Sequence, residues 1–367
     1  AYRLALRLTR HTARAAFMTT AAVAASVPFW SGRPLVFGIL AMLVLLWIVE
    51  VPDSRVGAYP LVSICGVMWL WANLHGTFAL GFLYLALHIA GQWLDGHPPI
   101  RGREKRLSIA TLVAFGLCFV NPYGLDIIIF PVQMLSRGNI LSYVIEWSSP
   151  DFHNVIGILF AIWIASFLGV LLLASRRPSR RDVLVFLAFV LLALWAQRNV
   201  ALTPLVGLPI IARISAIDEL RDRGRALNYL LIPLIIFIGV QNTVSQLNKP
   251  DFDLRRYPVQ AMQALEQRGM LGRRIATTDD WSGYIIHAYW PRQEVFIDDR
   301  YDMYPAAVVH DYFKLLGADL SWSETLNRHR IDIVLWPRGA SLSAVLTEAA
   351  AWQQIYQDDK ATVFIRK

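Results

Sequence analysis

The sequence predicts an α-helical polytopic membrane protein with about nine transmembrane helices and a C-terminal extracytoplasmic α/β domain. Of its 367 residues, 56% are hydrophobic and 17% are charged, whereas soluble domains carry about a quarter charged residues. Apolar runs fill the chain as far as residue 245. Between them, clusters of cationic residues occupy only alternate loops, which is the pattern of a chain that crosses a bilayer repeatedly.

Nine apolar runs have lengths close to what a membrane crossing needs. They cover residues 13–30, 35–51, 57–72, 77–94, 107–120, 153–174, 183–197, 199–213 and 228–246. Some are short, and the seventh and eighth could form a helical hairpin with a tight turn at Arg198. Residues 125–135 form a further apolar stretch that is too short to cross, which predicts an interfacial or re-entrant helix.

The arginine clusters predict the orientation, because loops rich in Arg and Lys stay in the cytoplasm. The N terminus is therefore predicted to be cytoplasmic, and the ninth span leads to a C-terminal domain outside. Because the sequence starts at Ala1 in the middle of this pattern and shows no signal peptide, we expect residues upstream of it. The clusters are Arg3, Arg7, Arg10 and Arg14; Arg101, Arg103, Lys105 and Arg106; Arg176, Arg177, Arg180 and Arg181; and Arg213, Arg221, Arg223 and Arg225.

The composition changes near residue 248, which predicts a membrane domain over residues 1–248 and an external α/β domain over 249–367. Residues 250–367 hold 14 Lys and Arg against 16 Asp and Glu, whereas the preceding residues hold 21 against 11. The positive charge therefore belongs to loops beside anionic lipid, and no nucleic-acid partner is expected. Cys65 and Cys118 both lie in apolar runs, which predicts buried thiols without a disulfide.

Changes in hydrophobic periodicity predict the elements of the α/β domain. Helices are predicted over residues 258–268, 306–316, 322–328 and 342–350. Strands are predicted over residues 274–278, 294–298 and 331–336, with a closing hairpin formed by 352–357 and 362–366.

Polar residues mark two turns at the predicted outer surface. The turn from Asn73 to Gly76 either caps a helical hairpin or presents His75 as a donor to an anionic group. Asn121 and Tyr123 belong to an Asn-Pro-Tyr-Gly turn, which either serves only to direct the following segment or adds to a binding site.

The long predicted outer loop holds the densest group of titratable residues near that surface. Glu146, Asp151 and His153 could supply a general base or bind a divalent metal ion. The alternative is a solvated loop anchored by Trp147 and Phe152.

Arg198 lies between two apolar runs, where an arginine is costly unless it faces water or an anion. Its guanidinium is suited to bidentate recognition of phosphate, and the alternative is snorkelling to the interface. His88 lies deeper, inside the fourth run, and predicts an interhelical hydrogen bond.

Two acidic and aromatic segments follow predicted strands of the external domain, where α/β folds commonly bind ligands. Carboxylates accept from sugar hydroxyls and aromatic rings stack on sugar faces, so a hydroxyl-rich ligand is predicted. The alternative is that these residues only form turns and dock the external domain onto the membrane domain. The candidates are Asp279, Asp280, Trp281, Asp298, Asp299, Arg300 and Tyr301.

These features together resemble bacterial integral-membrane glycosyltransferases of the C-type fold, the group that contains protein O-mannosyltransferases and lipid A sugar transferases. The resemblance spans most of the chain. It rests on the arginine-rich segment 2–14 before an alanine-rich run, the Trp-Ala-Asn-Leu-His-Gly turn at 71–76, the turn at 121–124, and an external α/β domain with Val-Phe-Ile-Asp-Asp-Arg-Tyr at 295–301 and a Trp352 to Lys367 ending.

The resemblance implies a transferase of the bacterial cytoplasmic membrane that uses a polyprenyl-phosphate sugar at the outer face. Arg198 and His75 would hold the phosphate, and a carboxylate would activate the acceptor hydroxyl. The family's catalytic acidic residue lies in the first external loop, yet residues 31–34 contain no carboxylate. Glu146 and Asp151 are therefore candidates from topology alone.

Two other functions remain open. A non-catalytic membrane subunit would dock a protein partner through the external domain, and the missing early carboxylate favours it. A transporter is less favoured, because ionisable residues inside the apolar runs are nearly absent beyond His88.

Overall fold

A computed structural model describes residues 1–30, 34–136, 144–174, 176–216, 241 and 253–367. The chain divides into two compact units, Ala1–Pro233 and Leu234–Lys367. The predicted ninth span, the cluster at Arg221 to Arg225 and the predicted domain boundary at 248 lie outside the described residues.

The first unit is helical throughout its described part. Pro60 and Pro204 stand in the first turns of their helices, where the missing N–H costs nothing. The α-helices are Tyr2–Thr9, Thr12–Ser26, Leu35–Glu50, Arg55–Ala58, Pro60–Leu74, Phe78–Leu94, Gly102–Leu117, Asp126–Ser136, Val155–Leu173, Arg180–Trp195 and Thr203–Ile214, and short 3-10 turns cover Val27–Phe29, Ile145–Trp147 and Gln197–Ala201.

The prediction of about nine transmembrane helices is wrong. Among the described residues, one helix, Val155–Leu173, is long and apolar enough to cross a membrane. Leu35–Glu50 has 16 residues and Thr203–Ile214 has 12, which at about 1.5 Å per residue is shorter than a hydrocarbon core of about 30 Å.

In other helices, polar and charged residues shorten the apolar part. Gly102–Leu117 starts with Arg103, Glu104 and Lys105 in its first turns. The left-handed conformation of Arg10, with a φ of 54°, ends the first helix before Thr12–Ser26 begins. The apolar runs of the sequence are therefore longer than the apolar parts of the helices that contain them.

Close helix packing forms the core of this unit. Gly91 lies against the backbone of Arg181, and a Cβ built on Gly91 would stand 2.4 Å from the Arg181 Cα. Phe167 and Phe186 stack with their ring centroids 3.9 Å apart. Cys65 and Cys118 are buried free thiols, as predicted.

Apolar side chains also cover much of the outside of the first unit. Helix Val155–Leu173 buries only a minority of its residues. Leu172 and Leu173 are 85% and 88% exposed, and Phe17 is 77% exposed. This amount of exposed apolar surface is unusual for a monomeric protein in water.

The second unit packs helices on a four-stranded mixed sheet. Strands β1 (Ile275–Thr277), β2 (Ile333–Pro337), β3 (Trp352–Gln357) and β4 (Ala361–Arg366) lie in the order β1-β2-β4-β3. β1 is parallel to β2, and the other pairs are antiparallel. The helices are Val259–Gln267, Asp279–Tyr289, Ala306–Gly317, Trp322–Arg328 and Ser341–Glu348, with 3-10 turns at Leu254–Arg256 and Tyr301–Met303.

Two elements of this unit differ from their prediction. Asp279–Tyr289 is a helix, although no helix was predicted for these residues. The predicted strand at residues 294–298 is reduced to one bridge between Ile275 and Val295. Trp281, Tyr284 and Ile285 are buried at helical spacing, so tertiary packing favours the helix.

We expect Gly91→Ala to destabilise the full chain by about 1–3 kcal/mol, because the new methyl group would press on backbone that moves only with its helix. Thermal unfolding of the purified protein measures the loss. Gly66→Ala is the matched control, since a Cβ at Gly66 meets nothing within 4 Å. An equal melting temperature for the two variants would contradict this packing.

Candidate functional site

The segments that carry arginine clusters contact one another at one end of the first unit. The Arg14 Nη1 donates to the Ser215 carbonyl at 2.8 Å. The backbone N–H groups of Arg180 and Arg181 donate to the Asp95 carboxylate at 3.0 and 3.1 Å. We refer to this region as the arginine end.

A buried ionic network lies at the arginine end. The Arg181 guanidinium lies 3.5 Å from the Glu50 carboxylate and 2.9 Å from that of Asp182. Arg213 pairs with both carboxylates, and the Tyr84 hydroxyl donates to Glu50 at 2.7 Å. The sequence interpretation assigned the arginines to loops and missed this network, although a carboxylate closing an apolar run at Glu50 was a signal for it.

Turn residues from distant parts of the sequence meet at a second place, which we call the His75–Arg198 site. The Arg198 guanidinium lies over the Trp147 ring, 4.4 Å from its centroid. The Gln197 N–H donates to the Ser148 carbonyl at 2.9 Å, which joins the two turns. Arg198 is also close enough to His75 to act on its charge.

The surroundings of His75 favour the neutral imidazole. Its half-buried position lowers the pKa of the imidazole, and the positive charge of Arg198 lowers it further. Nδ1 lies 2.8 Å from the Thr77 hydroxyl and 3.2 Å from the Thr77 N–H, and the tautomer that accepts from this N–H carries its proton on Nε2. Nε2–H therefore remains a donor, and no described residue accepts from it.

The neighbouring turns use their polar groups locally. The Asn73 amide donates to the Trp69 carbonyl at 2.8 Å, one helical turn back. The Asn121 Oδ1 accepts from the Tyr123 N–H at 2.7 Å, which closes the turn. The Tyr123 side chain is 72% exposed. Asn73 and Asn121 thus shape the backbone.

The predicted catalytic residues are exposed and lie in two groups. Glu146 stands in the same 3-10 turn as Trp147, beside the His75–Arg198 site. The Asp151 carboxylate accepts from the His153 N–H at 2.9 Å and lies 3.1 Å from the His153 ring. Among the described residues, Asp151 contacts these neighbours and Asn154, not His75 or Arg198.

Hydrogen bonding lowers the pKa of Asp151, first through the His153 N–H and then through the His153 ring. A carboxylate stabilised in its charged form is a weaker base. Asp151 is therefore less suited than an ordinary carboxylate to accept a proton from a hydroxyl.

In the second unit, Asp279 holds the loop after residue 298 against a helix. Tyr301 and Tyr312 both donate their hydroxyl protons to its carboxylate, Tyr312 at 2.5 Å. The Asp279 N–H donates to the Tyr312 oxygen at 2.8 Å. Trp281 is 8% exposed and packs in the core, so its ring does not face a ligand.

The remaining candidates of this unit differ in their access to solvent. Asp298 is buried and accepts from the Arg300 guanidinium and N–H, at 3.0 Å for the N–H. Asp280 and Asp299 are exposed. Partial burial raises the pKa of Asp280, and the charges of Asp279 and Asp299 raise it further. These two carboxylates are the candidates that a ligand could reach.

Neither a metal cluster nor the expected His88 hydrogen bond is found in the described part of the chain. No group of three His, Cys, Asp or Glu side chains there is arranged to hold a metal ion. His88 is fully buried, and its Nε2 lies 3.7 Å from Glu104 with no hydrogen-bond partner on either ring nitrogen.

No protein-family model matches the sequence, and no curated protein matches it. The resemblance to C-type glycosyltransferases therefore stays a prediction from the motifs of this chain.

A buried carboxylate in the second unit produces a pH-dependent stability. Burial alone would raise the pKa of Asp311, but hydrogen bonds from His329, Lys314 and Arg328 outweigh it and hold the pKa below its usual value. Asp311 is 3% exposed, and the His329 and Arg328 nitrogens lie 2.9 Å from it.

We expect Asp311→Asn to lower the free energy of unfolding at pH 7 by about 1–3 kcal/mol. A depressed carboxyl pKa stabilises the fold above the usual Asp value and loses that effect as the pH falls through the folded pKa. The gap between wild type and variant should therefore close towards pH 3. Urea unfolding of the full chain measures it, with Asp359→Asn, an exposed site, as control. A gap that does not change with pH would refute the assignment.

Proposed function

We propose that the protein is a membrane-bound glycosyltransferase that takes a sugar from a polyprenyl-phosphate donor at the His75–Arg198 site. The observation that carries the proposal is the Arg198 guanidinium on the Trp147 ring, within electrostatic reach of the His75 imidazole from a separate turn and near exposed aromatic rings. The side chains of Trp195 and Trp69 are 56% and 42% exposed.

The exposed apolar surface supports residence in a membrane. Helix Val155–Leu173 has 19 residues, or roughly 28 Å, and its side chains are mostly exposed. Asp151 and Trp147 shortly precede this helix in the sequence, whereas Arg176 follows it. By the positive-inside rule, the arginine end faces the cytoplasm of a bacterial cell and the His75–Arg198 site faces outwards.

The chemistry of the site suits a lipid-linked phosphate. Arg198 is held by Trp147, so its fork of donors is oriented before a ligand arrives. The neutral His75 adds a donor without requiring a second desolvated charge. A phosphate monoester or diester offers the oxygens that both donors need, and its isoprenoid tail would lie against the exposed rings.

A carboxylate near this phosphate would activate the acceptor hydroxyl. Glu146 suits this role better than Asp151, because Glu146 shares a turn with Trp147 and Asp151 is stabilised as an anion by His153. The divalent metal ion expected from Glu146, Asp151 and His153 stays a prediction. In the second unit, Asp280 and Asp299 would bind hydroxyls of an acceptor or a protein partner.

We expect Arg198→Gln to reduce sugar transfer roughly tenfold to a hundredfold, because a charge-assisted hydrogen bond to phosphate is lost. Glutamine preserves much of the side-chain length. The assay presents labelled polyprenyl-phosphate sugars in vesicles and follows the label into acceptor.

Arg55→Gln is the matched control for this assay. Arg55 is exposed and belongs to the short helix Arg55–Ala58, away from the His75–Arg198 site. Full transfer by a folded Arg198→Gln variant would remove Arg198 from the mechanism.

A non-catalytic membrane subunit is the second candidate function. It is favoured by the local use of Asp151, whose oxygens close the turn before helix Val155–Leu173. It is also favoured by the lack of a carboxylate in residues 31–34. In that case, the second unit would dock a protein partner.

Asp151→Asn separates a base from a turn residue, because asparagine keeps the acceptor oxygen but cannot take up a proton. We expect transfer within about twofold of wild type if the residue only closes the turn. A folded variant with at least tenfold slower transfer would instead make Asp151 the base. Asp53→Asn, at an exposed turn of the arginine end, controls for lost surface charge.

A further inference from the structure

We propose that an anionic phospholipid binds in a groove at the arginine end of the first unit, with its acyl chain between helices and its phosphate among arginines. We call this the lipid groove, and define it by three adjoining cavities. It does not depend on the proposed transferase function, because it uses neither His75 nor Arg198.

The apolar part of the lipid groove is a crevice of about 80 Å³ between helices Thr12–Ser26, Val155–Leu173 and Thr203–Ile214. On helix Thr12–Ser26, the small side chains of Ala21 and Ala22 leave this space open. The walls are aromatic and aliphatic, from Phe17, Trp163, Phe167, Leu208 and Ile211. A crevice of this lining favours hydrocarbon over water.

A larger cavity of about 700 Å³ adjoins the crevice, because Ser166 and Val170 line both. Gly169 is part of its wall, and a Cβ at that position would meet nothing within 4 Å. Arg14 and Arg176 line the same cavity. One space therefore leads from apolar side chains to two guanidinium groups.

A third cavity of about 490 Å³ extends this cationic part, because Arg176 and Ile214 line it too. It adds Arg177 and His97. Its carboxylates, Asp95 and Asp182, are already engaged by other groups.

The backbone N–H groups of Arg180 and Arg181 donate to Asp95. Asp182 pairs with the guanidinium groups of Arg181 and Arg213. Among the described residues that line this cavity, four arginines stand against two carboxylates, which complements an anionic headgroup.

The order of surfaces in the lipid groove determines the class of ligand. The crevice of about 80 Å³ holds a few methylene groups of an acyl chain, and a glycerol backbone fits the wider cavity beside Ser166. A lipid headgroup that carries only the negative charge of its phosphate complements the arginines. A choline headgroup would instead bring a positive charge towards them. The groove therefore favours phosphatidylglycerol over phosphatidylcholine.

Native mass spectrometry of the detergent-solubilised full chain tests this with defined mixtures of the two lipids. We expect wild type to bind phosphatidylglycerol at least about fivefold more tightly than phosphatidylcholine. Arg14→Gln with Arg176→Gln should weaken phosphatidylglycerol binding roughly tenfold or more, whereas Arg101→Gln, an exposed arginine outside the cavities, should not.

A second pair of variants tests the lipid groove without changing Arg14, because the Arg14 guanidinium also donates to the Ser215 carbonyl. Gly169→Leu fills the lipid groove and should abolish tight binding. Gly116→Leu makes the same change on another helix where a Cβ meets nothing within 4 Å, and should bind as wild type.

Equal affinity for the two lipids, or wild-type binding by Gly169→Leu, would overturn the proposal. Displacement of phosphatidylglycerol by millimolar inorganic phosphate would also overturn it, since that result assigns the site to free phosphate. None of these measurements involves sugar transfer, so a failure here is distinct from a failure of the transferase proposal.

Discussion

The buried ionic network of Glu50, Arg181, Asp182 and Arg213 is the constraint on which the first unit depends. Its charges come from three helices, one of them more than 100 residues from the other two, and the side chains of Glu50, Arg181 and Asp182 are 6%, 10% and 5% exposed. Charges with so little access to water must be paired, because an unpaired charge there costs several kcal/mol. The helix ends can therefore meet in only a few arrangements.

The same network lines part of the lipid groove. Gly91 lets the helix beside the network approach the backbone of Arg181, and Arg213 leads directly into Ile214 of the lipid groove. At the turns near His75, the Arg198 guanidinium lies on the Trp147 ring. Arginines that neutralise buried carboxylates hold the fold, whereas an arginine on an aromatic ring is suited to an external anion.

Parts of the fold and site were predictable because their signals are local. The hairpin of Trp352–Gln357 with Ala361–Arg366 follows from alternating residues around a turn. The turn chemistry of Asn121 follows from its neighbours. The prediction of nine spans was wrong because an apolar run does not show where a helix ends. Glu50 ends one helix after 16 residues, and Arg103 and Glu104 occupy the start of another.

The sequence by itself determined the apolar character of residues 1–216, the clustering of arginines and the separate polar second unit, because these depend on composition and short-range order. Only the tertiary structure decided which charges pair, that His75 and Arg198 share a site, and that Asp279 is occupied by Tyr301 and Tyr312. Apart from the Arg181–Asp182 pair, these contacts join residues that are 22 to 163 positions apart in the chain. Their energies depend on burial and geometry, which a linear pattern of residues does not contain.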